Sequence, residues 1–115
     1  MALKNSINAV ELFFIASVVM EEDTYESINS QGLPFPCFLI RIINNSDEDV
    51  TVSYDGSTDQ DFVPKNTVLQ LPVQTNSQPS NHVALIPKGT IVYVKGTAGT
   101  GDVYLAAYYS VPASV

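Results

Sequence analysis

The chain reads as all-β: a single two-sheet antiparallel sandwich, jelly-roll or Ig-like, of eight to nine short strands. Three observations carry that expectation. Residues 37–109 contain six apolar, β-branched or aromatic runs: CFLIRIINN, VTVSYDG, VLQLPV, VALIPKG, IVYVKG and VYLAAYY. Each is bounded by Gly, Pro, Asn, Asp or Ser, the residues that turn a chain. Residues 49–54 also alternate cleanly, with Val50 and Val52 on one face and Thr51 and Ser53 on the other.

In chain order, residues 1–8 are polar and read as an N-terminal arm, leaving 9–115 as one domain. Residues 10–20 have the length of a helix. Phe13, Phe14, Ile15, Val18 and Val19 nevertheless favour a strand, which the other strands give a sheet to join. Glu21, Glu22 and Asp23 make a charged bend, and residues 24–28 a short strand. Pro34 and Pro36 make residues 32–36 a loop, because proline cannot donate to a central ladder. Residues 38–43 form the most hydrophobic strand, with Arg41 expected on its outer face or paired with a carboxylate. Asn44, Asn45, Ser46 and Asp47 then read as a turn, joining residues 38–43 and 49–54 in a hairpin.

A further turn follows at residues 55–59, then a short strand at 61–63 ended by Pro64. Residues 67–73 are a strand. Residues 74–81 are uncharged, polar and the longest loop, the best place for an exposed contact. Residues 91–95 are expected to pair with 102–109 across the Gly-rich turn at 96–101. Alternation assigns Phe38, Ile40, Ile42, Val50, Val52, Val92, Val94, Val103 and Leu105 to the interior.

Composition excludes several functions. Of 115 residues 45% are hydrophobic and 15% charged, enough for a packed core without metal or disulfide. The net charge is −7, and the five bases Lys4, Arg41, Lys65, Lys88 and Lys95 are scattered, so direct nucleic-acid binding is not expected. Cys37 stands alone, so it forms no internal disulfide and reads as a small buried hydrophobe. Residues 10–20 contain Glu11, lack a basic start and are too short to span a bilayer. A soluble protein with no membrane association is the expectation.

Chemistry-bearing motifs are few. Residues 96–101 (GTAGTG) lack the Lys and Ser/Thr of a phosphate loop, and a strand follows them, not a helix. Asp47, Glu48, Asp49, Asp55, Asp59 and Asp61 lack the spacing of a calcium loop and read as a solvated edge that blocks unwanted strand pairing. His82 is the only histidine, with no second ligand or acid near it in sequence. No catalytic residue, metal ligand or cofactor is expected, and the chain does not read as an enzyme. Four of the six tyrosines, at 93, 104, 108 and 109, favour core and subunit-contact roles.

The runs LIRIINNSDEDVTVSYDGSTDQDFVP, VLQLPVQTNSQP and LIPKGTIVYVKGTAGTGDVYLAAYY together resemble small β-sandwich virion proteins of tailed bacteriophages. The resemblance covers roughly residues 33–110 and includes no catalytic signature. It implies a virion location, many copies per particle and no enzymatic activity. Such proteins either decorate the capsid shell, as cement subunits bound to the major capsid protein, or belong to the head–tail connection beside portal and neck proteins. The implied partners are those proteins and other copies of the chain. A carbohydrate-binding module for host attachment is the alternative from another class. Contact residues are expected in the loop at 33–36 (Leu33, Phe35), in the loop at 74–81 (Gln74, Asn76, Gln78, Asn81) and in the arm.

Overall fold

The computed structural model describes residues 6–72, 76–77, 82–83 and 86–111. Its strands are β1 (Ser6–Ala9), β2 (Phe13–Ala16), β3 (Glu26–Ser27), β4 (Leu39–Ser46), β5 (Val50–Ser53), β6 (Asp61–Val63), β7 (Thr67–Pro72), β8 (Asn76–Ser77), β9 (His82–Val83), β10 (Tyr93–Gly96) and β11 (Gly101–Val111). Nine of these form two antiparallel sheets. In the first, β11 has β1 and β2 along one edge and β4 along the other, and β7 lies beyond β4; the second has the order β3, β10, β5, β6. Among the described residues β8 and β9 pair only with each other.

β1 pairs with residues 108–111 of β11, and β2 with residues 102–105. The two are thus one interrupted edge strand, and the sandwich has four strands per sheet. Earliest and latest strands lie side by side: β1 and β2 with β11, then β3 with β10. This order is that of a jelly roll, not of an Ig-like sandwich.

Two expected hairpins are absent. β4 lies between β11 and β7, while β5 lies between β10 and β6 in the other sheet. β10 and β11 are likewise in different sheets. Both short connections therefore carry the chain across the sandwich. Alternation identifies the face a strand buries but not its neighbour, and β4 and β5 bury their apolar faces toward each other through the core.

Other boundaries also differ from expectation. Residues 6–8, assigned to the arm, belong to the edge strand Ser6–Ala9, since ladder bonds come from backbone and a polar sequence can make them. The strand expected over 10–20 is confined to β2, and Ser17–Val19 follow as one 3-10 turn. Asn44, Asn45 and Ser46 continue β4, so the turn begins at Asp47. Within the loop expected at 74–81, Asn76–Ser77 pairs with His82–Val83.

The core lies between the sheets. Ile40 and Ile42 from β4, Val50 and Val52 from β5, Val92 just before β10, Val94 from β10, and Val103, Leu105 and Ala107 from β11 are buried. Phe38 is only half-buried, because it precedes β4. Cys37 is buried, its thiol 3.2 Å from the Phe35 carbonyl, and burial pushes its pKa up.

Two buried amides take the place of backbone partners, one within the second sheet and one between the sheets. Asn29 donates to the Thr90 carbonyl (3.0 Å) and accepts from the Val92 N–H (2.8 Å), standing in for a strand backbone. Asn44 donates to the carbonyls of Glu48 and Val63, both at 2.9 Å, and accepts from the N–H and hydroxyl of Ser46. Val63 belongs to the second sheet, so Asn44 bridges the sandwich.

Candidate functional site

The outer face of the first sheet follows from its register. On β11, Val103, Leu105 and Ala107 point inward, so Asp102, Tyr104, Ala106 and Tyr108 point outward. Tyr104 stands opposite Phe14 on one side and Ile43 on the other, and Ile43 stands opposite Val68. Four strands thus contribute one continuous cross-strand row of Phe14, Tyr104, Ile43 and Val68. Its ends are open to solvent: Phe14 is 63% and Val68 49% exposed. The Phe14 and Tyr104 rings are 6.3 Å apart and tilted by 44°, a separation within the range of favourable aromatic pairs.

Polar groups flank this row. On one side lie Ala106, Arg41 and Gln70, and beyond them Ala9, Tyr108 and Leu39. On the other side lie Ala16, Asp102 and Asn45. Arg41 and Asp102 are the only charged residues in these rows. Tyr104 donates a long 3.4 Å hydrogen bond to Asp102, and among the described residues no carboxylate reaches Arg41. Leu12, Val18 and Val19, at the two ends of β2, are exposed as well.

Several acidic groups elsewhere on the described surface are tied up in local structure. Asp55 accepts from the N–H groups of Ser57 and Thr58, each at 2.9 Å, and from the Ser53 hydroxyl, which hold its carboxyl well below the usual range. Asp47 accepts from the backbone and hydroxyl of Thr100 and is likewise lowered. Asp59 accepts from the Tyr25 hydroxyl and pairs with Lys95 at 2.9 Å, which lowers it in turn. The Lys95 ammonium also sits 4.7 Å over the Tyr25 ring. These carboxylates cap turns and pin β3 to β10. Among the described residues no group of three or more His, Cys, Asp or Glu is arranged to hold a metal ion, and no helix is long and apolar enough to cross a membrane.

An apolar cleft of about 380 Å³ opens between the sheets at one end, lined by Ile40, Tyr54, Leu71, Ile86, Pro87 and Thr90. The Tyr54 hydroxyl donates to Asp61 at 2.6 Å. With its neighbouring carboxylate already a hydrogen-bond acceptor, the cleft has the chemistry of an unfilled core edge.

Of the expected contact residues, Leu33 and Phe35 are placed differently. Leu33 is buried at 1% exposure, held by backbone bonds between residues 32–33 and 89–90, so its side chain is core. Phe35 is exposed and stacks on Tyr109, centroids 4.0 Å apart. Asn76 lies in β8, while Gln74, Gln78 and Asn81 lie outside the described residues. The row of Phe14, Tyr104, Ile43 and Val68 was not among the expected contacts. Its signal is in β4, where Leu39 and Ile43 are apolar although Ile40 and Ile42 already fill the inward positions. No protein-family model matches the chain, and no curated protein does.

Proposed function

We propose that this protein is a non-catalytic structural subunit of a tailed-phage virion, a decoration or cement protein that binds the assembled shell. The observation that carries the reading is the outer face of the first sheet. An acidic chain keeps one broad face almost free of carboxylates and crosses it with an apolar, partly aromatic row. A face of this composition is what a protein contact requires and what a free surface avoids. The sequence resemblance supplies the setting. The mechanism is mass action: a subunit that binds the assembled lattice, and not free capsid protein, stabilises the assembled state. Many copies sum weak single contacts.

The test is to add purified protein to particles that lack it. Heat tolerance restored in proportion to many bound copies is the expected result, with Phe14→Ser reducing both. Saturation at a few copies, with rescue of tail attachment, would instead make it a neck component. Retention on a polysaccharide column without effect on particle integrity would make it a host-binding module.

A further inference from the structure

The outer face of the first sheet has a symmetry in its chemistry that names a partner. We infer that this face pairs with itself, joining two copies of the chain face to face about a two-fold axis that runs along the row of Phe14, Tyr104, Ile43 and Val68. The inference rests on reading the face as a protein contact and takes that contact to be a second copy, so that the pair, and not the single chain, is what binds the shell.

The charges carry the argument. Arg41 and Asp102 lie on opposite sides of the apolar row, one row away in each direction, on neighbouring strands. Asp102 stands opposite Asn45, four residues along β4 from Arg41, so the two are about 13 Å apart along the strands and do not pair within one copy. A two-fold axis along the row returns the row onto itself and exchanges its two flanks. Arg41 of one copy then sits over the flank that holds Asp102 and Asn45 in the other, and the reverse pairing follows from symmetry. Sheets packed face to face run within about 30° of parallel or antiparallel alignment, which keeps the flanks in register near the axis. Phe14, Tyr104, Ile43 and Val68 then pack against their own counterparts.

The distribution of acid supports the same partner. Two chains of net charge −7 repel, and contact is least costly where carboxylates are fewest. The turn-capping acids Asp47, Asp55 and Asp59 all lie off this face. Four strands at about 4.8 Å spacing and seven residues at about 3.3 Å give a footprint roughly 20 Å square. A stable interface takes about 800 Å² of accessible surface from each partner, about twice the flat area of that footprint, so the pairing uses the whole face together with the exposed Leu12, Val18 and Val19 beside it.

Sedimentation of the purified chain over a wide concentration range tests the inference. The wild type is expected to dimerise. Arg41→Asp and Asp102→Arg alone should each weaken the dimer about tenfold. The double charge swap should restore it to within about threefold of wild type, since the pair is rebuilt in reverse. Both residues lie on the surface, and an unchanged circular dichroism spectrum excludes misfolding of the variants. A chain monomeric at the highest concentration, a trimer or open ring, or a dimer indifferent to the single reversals would overturn the inference. A monomer that still restores heat tolerance to depleted particles overturns the dimer and leaves the shell-binding function standing. A charge-sensitive dimer that binds no particle does the opposite.

Discussion

Replacing Asn44 by alanine should be among the most damaging single changes in this fold. The side chain is 1% exposed and spans the sandwich from β4 to β6. Alanine removes both donors and the acceptor at once. The Glu48 carbonyl keeps the Ser46 hydroxyl at 3.0 Å, so it is not stripped bare. The Val63 carbonyl and the Ser46 N–H each lose a buried partner. A buried polar group left without its bond costs about 1–3 kcal/mol, which puts the pair at about 2–6 kcal/mol. At about 4 °C per kcal/mol for a domain of this size, the melting temperature should fall by roughly 8–24 °C. Asn45→Ala, one residue away and exposed, is the control and should stay within about 0.5 kcal/mol of wild type. Thermal melts followed by circular dichroism measure both. If Asn44→Ala melts no lower than Asn45→Ala, the reasoning that the amide holds the sheets together fails.

Gly32 has φ +82°, and a Cβ there would lie 2.6 Å from the Gly89 carbonyl oxygen, so Gly32→Ala should cost about 2 kcal/mol or more in a urea melt. Cys37→Ser places a hydroxyl in the thiol's buried site but keeps the carbonyl of Phe35 as a partner; a loss of about 1–2 kcal/mol is expected, and none in shell binding. The lowered carboxyls of Asp47, Asp55 and Asp59 contribute stability that is fully present above the ordinary value of 3.8 and is lost as pH falls below it, so a melting temperature that held steady or rose from pH 4 to pH 2 would contradict their capping role. Burial and the hydrogen bond to Asp59 push the Tyr25 phenol up to about 12, so its neutral form stabilises the fold below pH 10 and that contribution is lost as pH rises toward 12; phenolate absorbance should show it ionising after an exposed tyrosine.

The architecture was legible where side chains repeat every second residue. Ile40, Ile42, Val50, Val52, Val94, Val103 and Leu105 fall inward as their alternation requires. Which strands neighbour each other was not legible. A three-residue link such as 47–49 suits a hairpin as well as a crossing, and only the buried faces of both sheets together decide. Ser6–Ala9 was missed because an edge strand is held by its backbone, which composition does not report. The candidate face was visible in part: apolar residues at both parities of β4 imply contact on both sides. Its extension through Phe14, Tyr104 and Val68 depends on register between strands as much as 90 residues apart. Leu33 misled because a leucine between a glycine and a proline looks like a loop tip, yet the backbone bonds to residues 89–90 draw it inside.

The position of β11 has a consequence for how the protein is made. It is the centre of the first sheet and the last of the described strands to leave the ribosome. β1 and β2 are made first and have no neighbour in the sheet other than β11. At about 5–20 residues per second, their partner arrives roughly 5–20 s later. Until then the segment Leu12, Phe13, Phe14 and Ile15 has no ladder to join, and a nascent chain arrested before residue 100 should be cleaved there by added protease. The sheet closes in one late step, after translation has delivered both of its ends. The same apolar stretch that borders the candidate contact face is therefore the one most exposed to premature pairing between chains growing on one message.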